Sequence, residues 1–593
     1  RINGLDGPYT QILLDSRPIF SALSGVYGIE QIPASMIERV EVMRGGGSAL
    51  FGSSAIAGTI NIITKEPMRN SGMLSHTITG IGDGDAFDNS TALNASLVTD
   101  DQRAGLYIFG QNRHRSAYDH DGDGYSEIPK LHGQTIGFRS FLKTTTYSKL
   151  TFEYHHMEEF RRGGDLLNRP PHEANVAEQT EHSINGGGLK FDYFSPNENH
   201  RFNVFASAQH INRDSYYGPG DRDPLDAYGN TTDLNWMAGS QYVYSFGKCI
   251  FMPSDLTAGI EFNQDKLEDN MWGYNRTVDQ KVNIGSAFLQ NEWKNDHWGF
   301  LIGGRLDKHN LIDHVIFSPR ANLRYNPTEN INLRFSYSSG FRAPQAFDED
   351  LHVENVGGNV AMVELADNLK EERSQSLSAS ADIYHRFGAS QVNFLVEGFY
   401  TKLSDVFALT DGEVVDGILT RTRHNASGAQ VLGLTLEGKM AYLNKIQVQA
   451  GVTLQQSHYS KPHIWNKEAP AVKKMMRTPN TYGYFTATYT PIKPLSIALS
   501  GTYTGSMLVP HEPVPGFLEN PITVNTKDFF DIGLKAAYDF KLYKSMNLQL
   551  NAGIQNIFNA YQDDFDKGAD RDSGYIYGPS LPRSFFAGVK ISY

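Results

Sequence analysis

Apolar and polar side chains alternate with a period of two along several stretches of this chain, and any fold must accommodate that pattern first. Met546, Leu548, Leu550, Ala552 and Ile554 interleave with Asn547, Gln549, Asn551, Gly553 and Gln555. Ile446, Val448, Ala450, Val452 and Leu454 stand against Gln447, Gln449, Gly451, Thr453 and Gln455, and Ile331, Leu333, Phe335 and Tyr337 against Asn332, Arg334 and Ser336. This period places one set of side chains on each face of a β-sheet. A soluble sandwich turns its polar face to bulk water. A membrane barrel turns it to a lumen and presents the apolar face to lipid. Alternation alone does not separate the two. The last stretch carries the same pattern, with Phe585, Ala587, Val589, Ile591 and Tyr593 on one face.

The chain has 593 residues, yet no Pro/Ser-rich linker, low-complexity tract or long charge run marks a domain boundary after residue 70. Tyr and Phe number 30 and 34, and Gly 56, which suits many strands, many turns and aromatic belts at two membrane interfaces. Mean hydropathy is −0.41, and no run of about 18 apolar residues offers a transmembrane helix. A closed barrel hides its apolar face in alternate positions, so averaged hydropathy does not register it. The single cysteine, Cys249, excludes an intramolecular disulfide framework and a Cys-based zinc site. A net charge of −13 argues against nucleic-acid binding. Residues 1–10, RINGLDGPYT, contain no signal-peptide core, so the chain reads as a mature or truncated product.

Residues 37–65, IERVEVMRGGGSALFGSSAIAGTINIITK, predict a strand from Ile37 to Met43, a turn at Gly45, Gly46 and Gly47, and a strand from Thr59 to Thr64. The small residues between the strands cannot build a core of their own, and glycines permit a compact path in a confined space. A phosphate-binding loop is the competing reading, but no Gly-Lys-Ser/Thr follows. The stretch closely resembles the plug signature of TonB-dependent outer-membrane transporters, with Gly46 where proline is common and Phe51 where tyrosine is common. Phe341-Arg342-Ala343-Pro344 resembles a barrel box of that family. Residues 366–372, ADNLKEE, resemble another, with Ala366 and Glu371 in place of its prolines. Residues 430–437, Arg477-Thr478-Pro479, Asn556-Ile557-Phe558-Asn559 and Pro582-Arg583 resemble later ones in the expected order. The terminal amphipathic strand ending in an aromatic is likewise similar to those of outer-membrane barrels.

The resemblance implies an all-β transmembrane barrel of about 22 antiparallel strands, its lumen filled by a small α+β plug. The plug would occupy 1–67 and the barrel 68–593. Family plugs are longer, so the chain is expected to enter midway through a truncated plug, after the energy-coupling segment. Short turns are expected at 326–330 and 491–494, and long polar loops at 159–183, 212–235, 338–372, 456–478 and 561–582. The function implied is energy-coupled import of a scarce, large metal chelate across the outer membrane of a Gram-negative bacterium. TonB is the implied partner, lipid surrounds the barrel, and a surface lipoprotein is a further candidate partner. A passive channel conflicts with the plug, and a surface adhesin would not explain the plug signature or Tyr593.

Three candidate sites follow. The plug loop Phe20–Gly28 offers Ser21, Leu23, Ser24, Val26 and Tyr27, small residues with one aromatic. In the family this loop rises toward the substrate; simple plug packing is the plainer reading. His352 lies between the boxes at 341–344 and 366–372, the interval that holds a haem-ligating histidine in haem receptors, although exposed loop histidines are usually only polar. Asp119, Asp121, Asp123 and Glu127 carry alternating carboxylates with Gly124 at the sixth position, an arrangement that lets oxygens converge on a structural Ca²⁺. Lys130 stands where an EF-hand has its twelfth-position glutamate, and an acidic Asp-Gly turn is the alternative. An Asp-rich early loop binds Ca²⁺ in the family's cobalamin receptors, which places cobalamin narrowly ahead of haem and then ferric siderophores. No nucleophile–base pair or other catalytic constellation is visible, so neither an enzyme nor a catalytic cofactor is expected.

Overall fold

The computed structural model describes residues 2, 5, 7–18, 32–45, 47–53, 55–82, 84, 86–219, 228–346, 351, 354–356 and 359–593. Twenty-two strands, running from Ser71–Ile81 to Ser584–Ser592, form a closed antiparallel barrel. A three-residue strand, Val472–Lys474, pairs beside the outer end of Ile446–His463. Closure comes from the last strand lying on the first, with Ile591 opposite Leu74 and Val589 opposite His76. No edge is left unpaired, which is what a hydrocarbon surround demands of a sheet. The alternation resolves as the periodicity predicts. Leu333, Phe335, Val452, Leu454, Leu550, Phe585 and Tyr593 are exposed, whereas Thr453 and Gln455 are buried toward the interior.

Successive strands are joined at one end by turns of two to five residues, including those after Thr328 and Ile492, and at the other mostly by longer loops. Short turns face the periplasm and long loops the exterior in such barrels. The predicted long loops at 159–183, 212–235 and 456–478 are shorter than the sequence suggested. Ser148–Gly164, Val176–Phe194, His200–Pro219, Tyr228–Cys249 and Ile446–His463 all run on as paired strands through those residues. Once a strand clears the membrane its outer face meets water, the apolar half of the alternation disappears, and the sequence looks like loop.

Four strands of the plug form a mixed sheet in the order Arg17–Pro18, Thr10–Leu14, Gly58–Thr64, Ile37–Arg44. The central pair is parallel and the other two are antiparallel. A one-turn helix, Ser48–Phe51, and two 3₁₀ turns, Gly7–Tyr9 and Ala34–Met36, complete its described part. Gly58 lets two backbones approach: a Cβ there would sit 2.4 Å from the Met43 carbonyl oxygen. The plug's last strand ends at Thr64 and the barrel begins at Ser71.

On the outer side, the loops after Arg342 and Ser404 share a second sheet, in the order Glu354–Val356, Asn359–Leu365, Ile418–Asn425, Phe407–Val415. Its middle pair is parallel. The chain after Arg342 also folds inward, and Ala346 and Leu351 pack on Met157, Ile184, Ile211 and Leu267 of the wall.

Candidate functional site

The plug is held in the lumen by an apolar seam, in which Ile2, Leu5, Tyr9, Ile56 and Ala57 pack with Phe399, Leu403, Ala429 and Val431 of the barrel, and by a set of charged contacts. Arg44, at the end of its strand, donates to Glu437 and lies 3.3 Å from Glu397, both on the barrel wall. Asp15 pairs with Arg139 of the wall, which also reaches Glu66 at 3.2 Å. Arg305 of the wall donates to the Leu50 carbonyl at 3.0 Å while pairing with Glu261 at 2.7 Å and Asp307 at 2.8 Å. Tyr9 donates to Glu372 at 3.0 Å, and the same carboxylate oxygen accepts the Phe407 amide at 2.5 Å. Glu372 is fully buried, and Arg342 stands 3.9 Å from its second oxygen. Ion pairs of this kind add little net stability, but removing one partner strands a buried charge at a cost of about 3–5 kcal/mol.

Above the plug lies a cavity of about 700 Å³, bounded by the turn Trp272–Tyr274, the outer end of Arg276–Lys294 and the loop sheet. That volume falls in the range of about 300–1,000 Å³ typical of small-molecule sites. Tyr274, buried, donates its hydroxyl to the Tyr217 carbonyl, and the Tyr216 and Tyr228 rings meet edge to face at 4.8 Å. Met362 and Ile418 of the loop sheet pack against this tyrosine cluster. The inward segment is pinned by the Ala346 amide on Gln280 at 3.0 Å and by Gln345 against His309 at 3.2 Å. A second cavity of about 680 Å³ lies toward the periplasmic end, between Val42–Gly45 of the plug and the wall.

The acidic loop sits at the outer rim. One carboxylate oxygen each from Asp119, Asp121 and Glu127 lie within 4.8 Å of one another. Asp119 already accepts the Gly122 and Gly124 amides, both at 2.8 Å, and Glu127 accepts the His120 amide at 2.6 Å. Asp123 is not brought into that group. It turns to the loop after Gln555, accepting the Gly568 amide at 2.8 Å and pairing with Arg571 at 2.6 Å. Burial pushes its carboxyl up, but the Gly568 and Tyr125 amides and the Arg571 guanidinium outweigh that and hold it below the usual range. Arg571 also pairs with Glu127 at 2.9 Å, and Lys567 stands 3.5 Å from Asp121. The same loop binds its other neighbour: His511 meets both oxygens of Asp566 at 3.0 Å and stacks on Tyr575 at 3.7 Å.

Ser21, Leu23, Ser24, Val26, Tyr27 and His352 lie outside the described residues. The sequence reading did not single out Arg571 or Glu397. A carboxylate pointing inward from a membrane-spanning strand is a functional signal in its own right, and Glu397 carried it. Arg571 had only its sign to mark it, opposite to that of a loop more than 400 positions away.

The comparisons with known proteins agree with this geometry. The TonB-dependent receptor-like β-barrel family matches residues 71–557, and the TonB-dependent receptor plug domain matches residues 1–59. An iron-regulated outer membrane virulence protein of Vibrio cholerae is 27% identical over 383 residues, covering 60% of this chain and 54% of the relative. A vitamin B12 transporter BtuB of Vibrio vulnificus is 23% identical over 360 residues, covering 58% and 54%. The chain thus spans about half the length of these curated relatives. Among solved structures, the siderophore receptor PirA from Acinetobacter baumannii superposes with a TM-score of 0.79 at 17% identity, covering 100% of this chain and 92% of that one. The ferric enterobactin receptor PfeA from Pseudomonas aeruginosa, in complex with enterobactin, gives 0.77 at 17% identity, covering 100% and 93%. Plug and barrel together place the chain in the outer membrane, and it belongs to the TonB-dependent receptor family.

Proposed function

We propose that this protein imports a scarce metal-chelate nutrient, with TonB supplying the work that displaces the plug. The observation that carries the reading is the lock itself. Arg44, Arg139, Arg305 and Glu372, with the apolar seam around Leu5 and Ile56, tie the plug to the wall below an outward cavity. Displacing the plug exposes the apolar seam to water and breaks these contacts together, which supports an external source of energy for passage. Cobalamin is placed ahead of haem and ferric siderophores. The acidic loop and the vitamin B12 transporters among the relatives support that order, while the iron-regulated and siderophore-receptor likenesses keep the alternatives in play.

Ca²⁺ is proposed as a ligand of Asp119, Asp121 and Glu127. Their oxygens suit a hard cation, and one oxygen of Asp121 is buried without a hydrogen bond, with the Lys567 ammonium 3.5 Å from it. The ion would supply positive charge that ties the acidic loop together; Asp123 stays with Arg571. The test is uptake of labelled cyanocobalamin, haem and ferric siderophores by cells carrying the full-length protein, with and without TonB. TonB-dependent cyanocobalamin uptake that falls on Ca²⁺ chelation is the expected result. TonB-independent uptake would remove the energised-import reading.

A further inference from the structure

We propose that the outer cavity selects a neutral or cationic chelate and rejects polyanionic ones; this rests on the import reading and specifies its substrate class. The first observation is where the charge resides. The eleven loops on the outer side carry, by sequence, 31 Asp and Glu against 13 Lys and Arg, a charge of −18 in a chain whose total is −13. The rest of the protein is therefore net positive. The acidity is a property of the outer face, where a ligand is first met.

The second observation is the cavity wall. Asp279, Glu364 and Asp416 line the 700 Å³ space, with Arg276 as the single cation among its described lining residues. The apolar part of the lining, with Tyr274, Val278 and Met362, can cover the body of a large ligand without asking for charge. Around a partly desolvated site, each added negative charge on the ligand is repelled, and low ionic strength magnifies the effect. The inner cavity does not share this bias. Arg44, Arg320, Arg324 and Arg334 there face Glu292, Asp382, Glu397 and Glu437, so the two signs balance. Selection by charge consequently belongs to the outer cavity and precedes any displacement of the plug.

The experiment measures equilibrium binding to the full-length protein in detergent, at low and high salt, of four probes. These are a monocationic and a neutral ferric trihydroxamate, cyanocobalamin, and a trianionic ferric tris-catecholate. The expected result is that the trianionic probe binds at least about tenfold more weakly than the best neutral or cationic one, with the gap narrowing at high salt. Glu364→Gln combined with Asp279→Asn is expected to weaken the cationic probe and to relieve the exclusion of the trianionic one. Tightest binding by the tris-catecholate, or an order of probes insensitive to salt, overturns the proposal. The wild-type order decides this even if the double variant does not fold. TonB-dependent uptake of the trianionic probe would overturn the charge assignment while leaving import standing. Absence of TonB-dependent uptake of every probe would remove the import reading, and the binding order would still judge the charge assignment.

Discussion

Tyr9 of the plug and Glu372 of the barrel are 363 positions apart in sequence and share a hydrogen bond of 3.0 Å that solvent scarcely reaches. The same carboxylate holds the amide of Phe407, the first residue of a loop-sheet strand, so one side chain touches plug, wall and outer sheet. Tyr9→Phe removes one donor from a buried carboxylate. A loss of about 1.5–3 kcal/mol is expected, which corresponds to amide exchange in Thr10–Leu14 faster by roughly ten- to a hundredfold. Hydrogen–deuterium exchange reads this directly, and unchanged protection of that strand would contradict the assigned role.

Arg44→Ala leaves Glu397 and Glu437 facing each other without their shared cation. The plug should loosen by about 1–3 kcal/mol, less than for a fully buried pair because Arg44 is partly exposed. Single-channel recordings in planar bilayers should then show openings that the wild type lacks. Glu397→Gln, which leaves the Glu437 contact intact, should open less often than Arg44→Ala.

Gly58→Ala places a methyl group against the Met43 carbonyl, and backbone cannot yield as a flexible side chain does. The strand Ile37–Arg44 should separate from Gly58–Thr64 while the barrel remains assembled. Protease added to purified protein should cut between residues 37 and 64 in the variant only, with the heat-resistant mobility of the barrel preserved on gels.

The clasp between the acidic loop and Arg571 should depend on pH with a definite sign. Asp123 has a lowered folded-state value, so its contribution is fully present above the ordinary Asp range, near about pH 4, and is lost as pH falls through the lowered value. Proteolytic protection of residues 556–583, followed from pH 7 down to pH 3 in the presence of a chelator, should fall in that acid window. Arg571→Ala should weaken protection at neutral pH and flatten the profile.

Period-two alternation was enough to announce strands wherever one face meets lipid, as Leu550 and Leu454 do. The plug strands were also legible, because Ile37–Arg44 and Gly58–Thr64 flank a run too small to form anything else. Above the membrane this signal fails. Asn230 donates to Asp214 across two paired strands at 2.7 Å, and both residues look like loop when read alone. The loop sheet was hidden for another reason: Asn359–Leu365 lies parallel to Ile418–Asn425, and nothing local identifies a partner some 60 residues on. Within the acidic loop, spacing brought out Asp119, Asp121 and Glu127. It could not anticipate that a distant arginine would draw Asp123 aside.

The seven strands from Ser126–Thr145 to Arg276–Lys294 are 17 to 22 residues long, whereas the five from Thr481–Ile492 to Ser584–Ser592 have 9 to 15. A strand tilted by about 45° crosses the hydrocarbon in roughly 9–11 residues, so this arc of the wall stands well clear of the bilayer as a hydrogen-bonded parapet. The five shorter strands are followed on the outer side by the long loops at 505–528 and 556–583. The mouth is therefore lopsided, with a wall of paired strands on one side and clasped loops on the other. A ligand approaching from the surrounding medium meets paired backbone on one side of the mouth and side-chain clasps on the other.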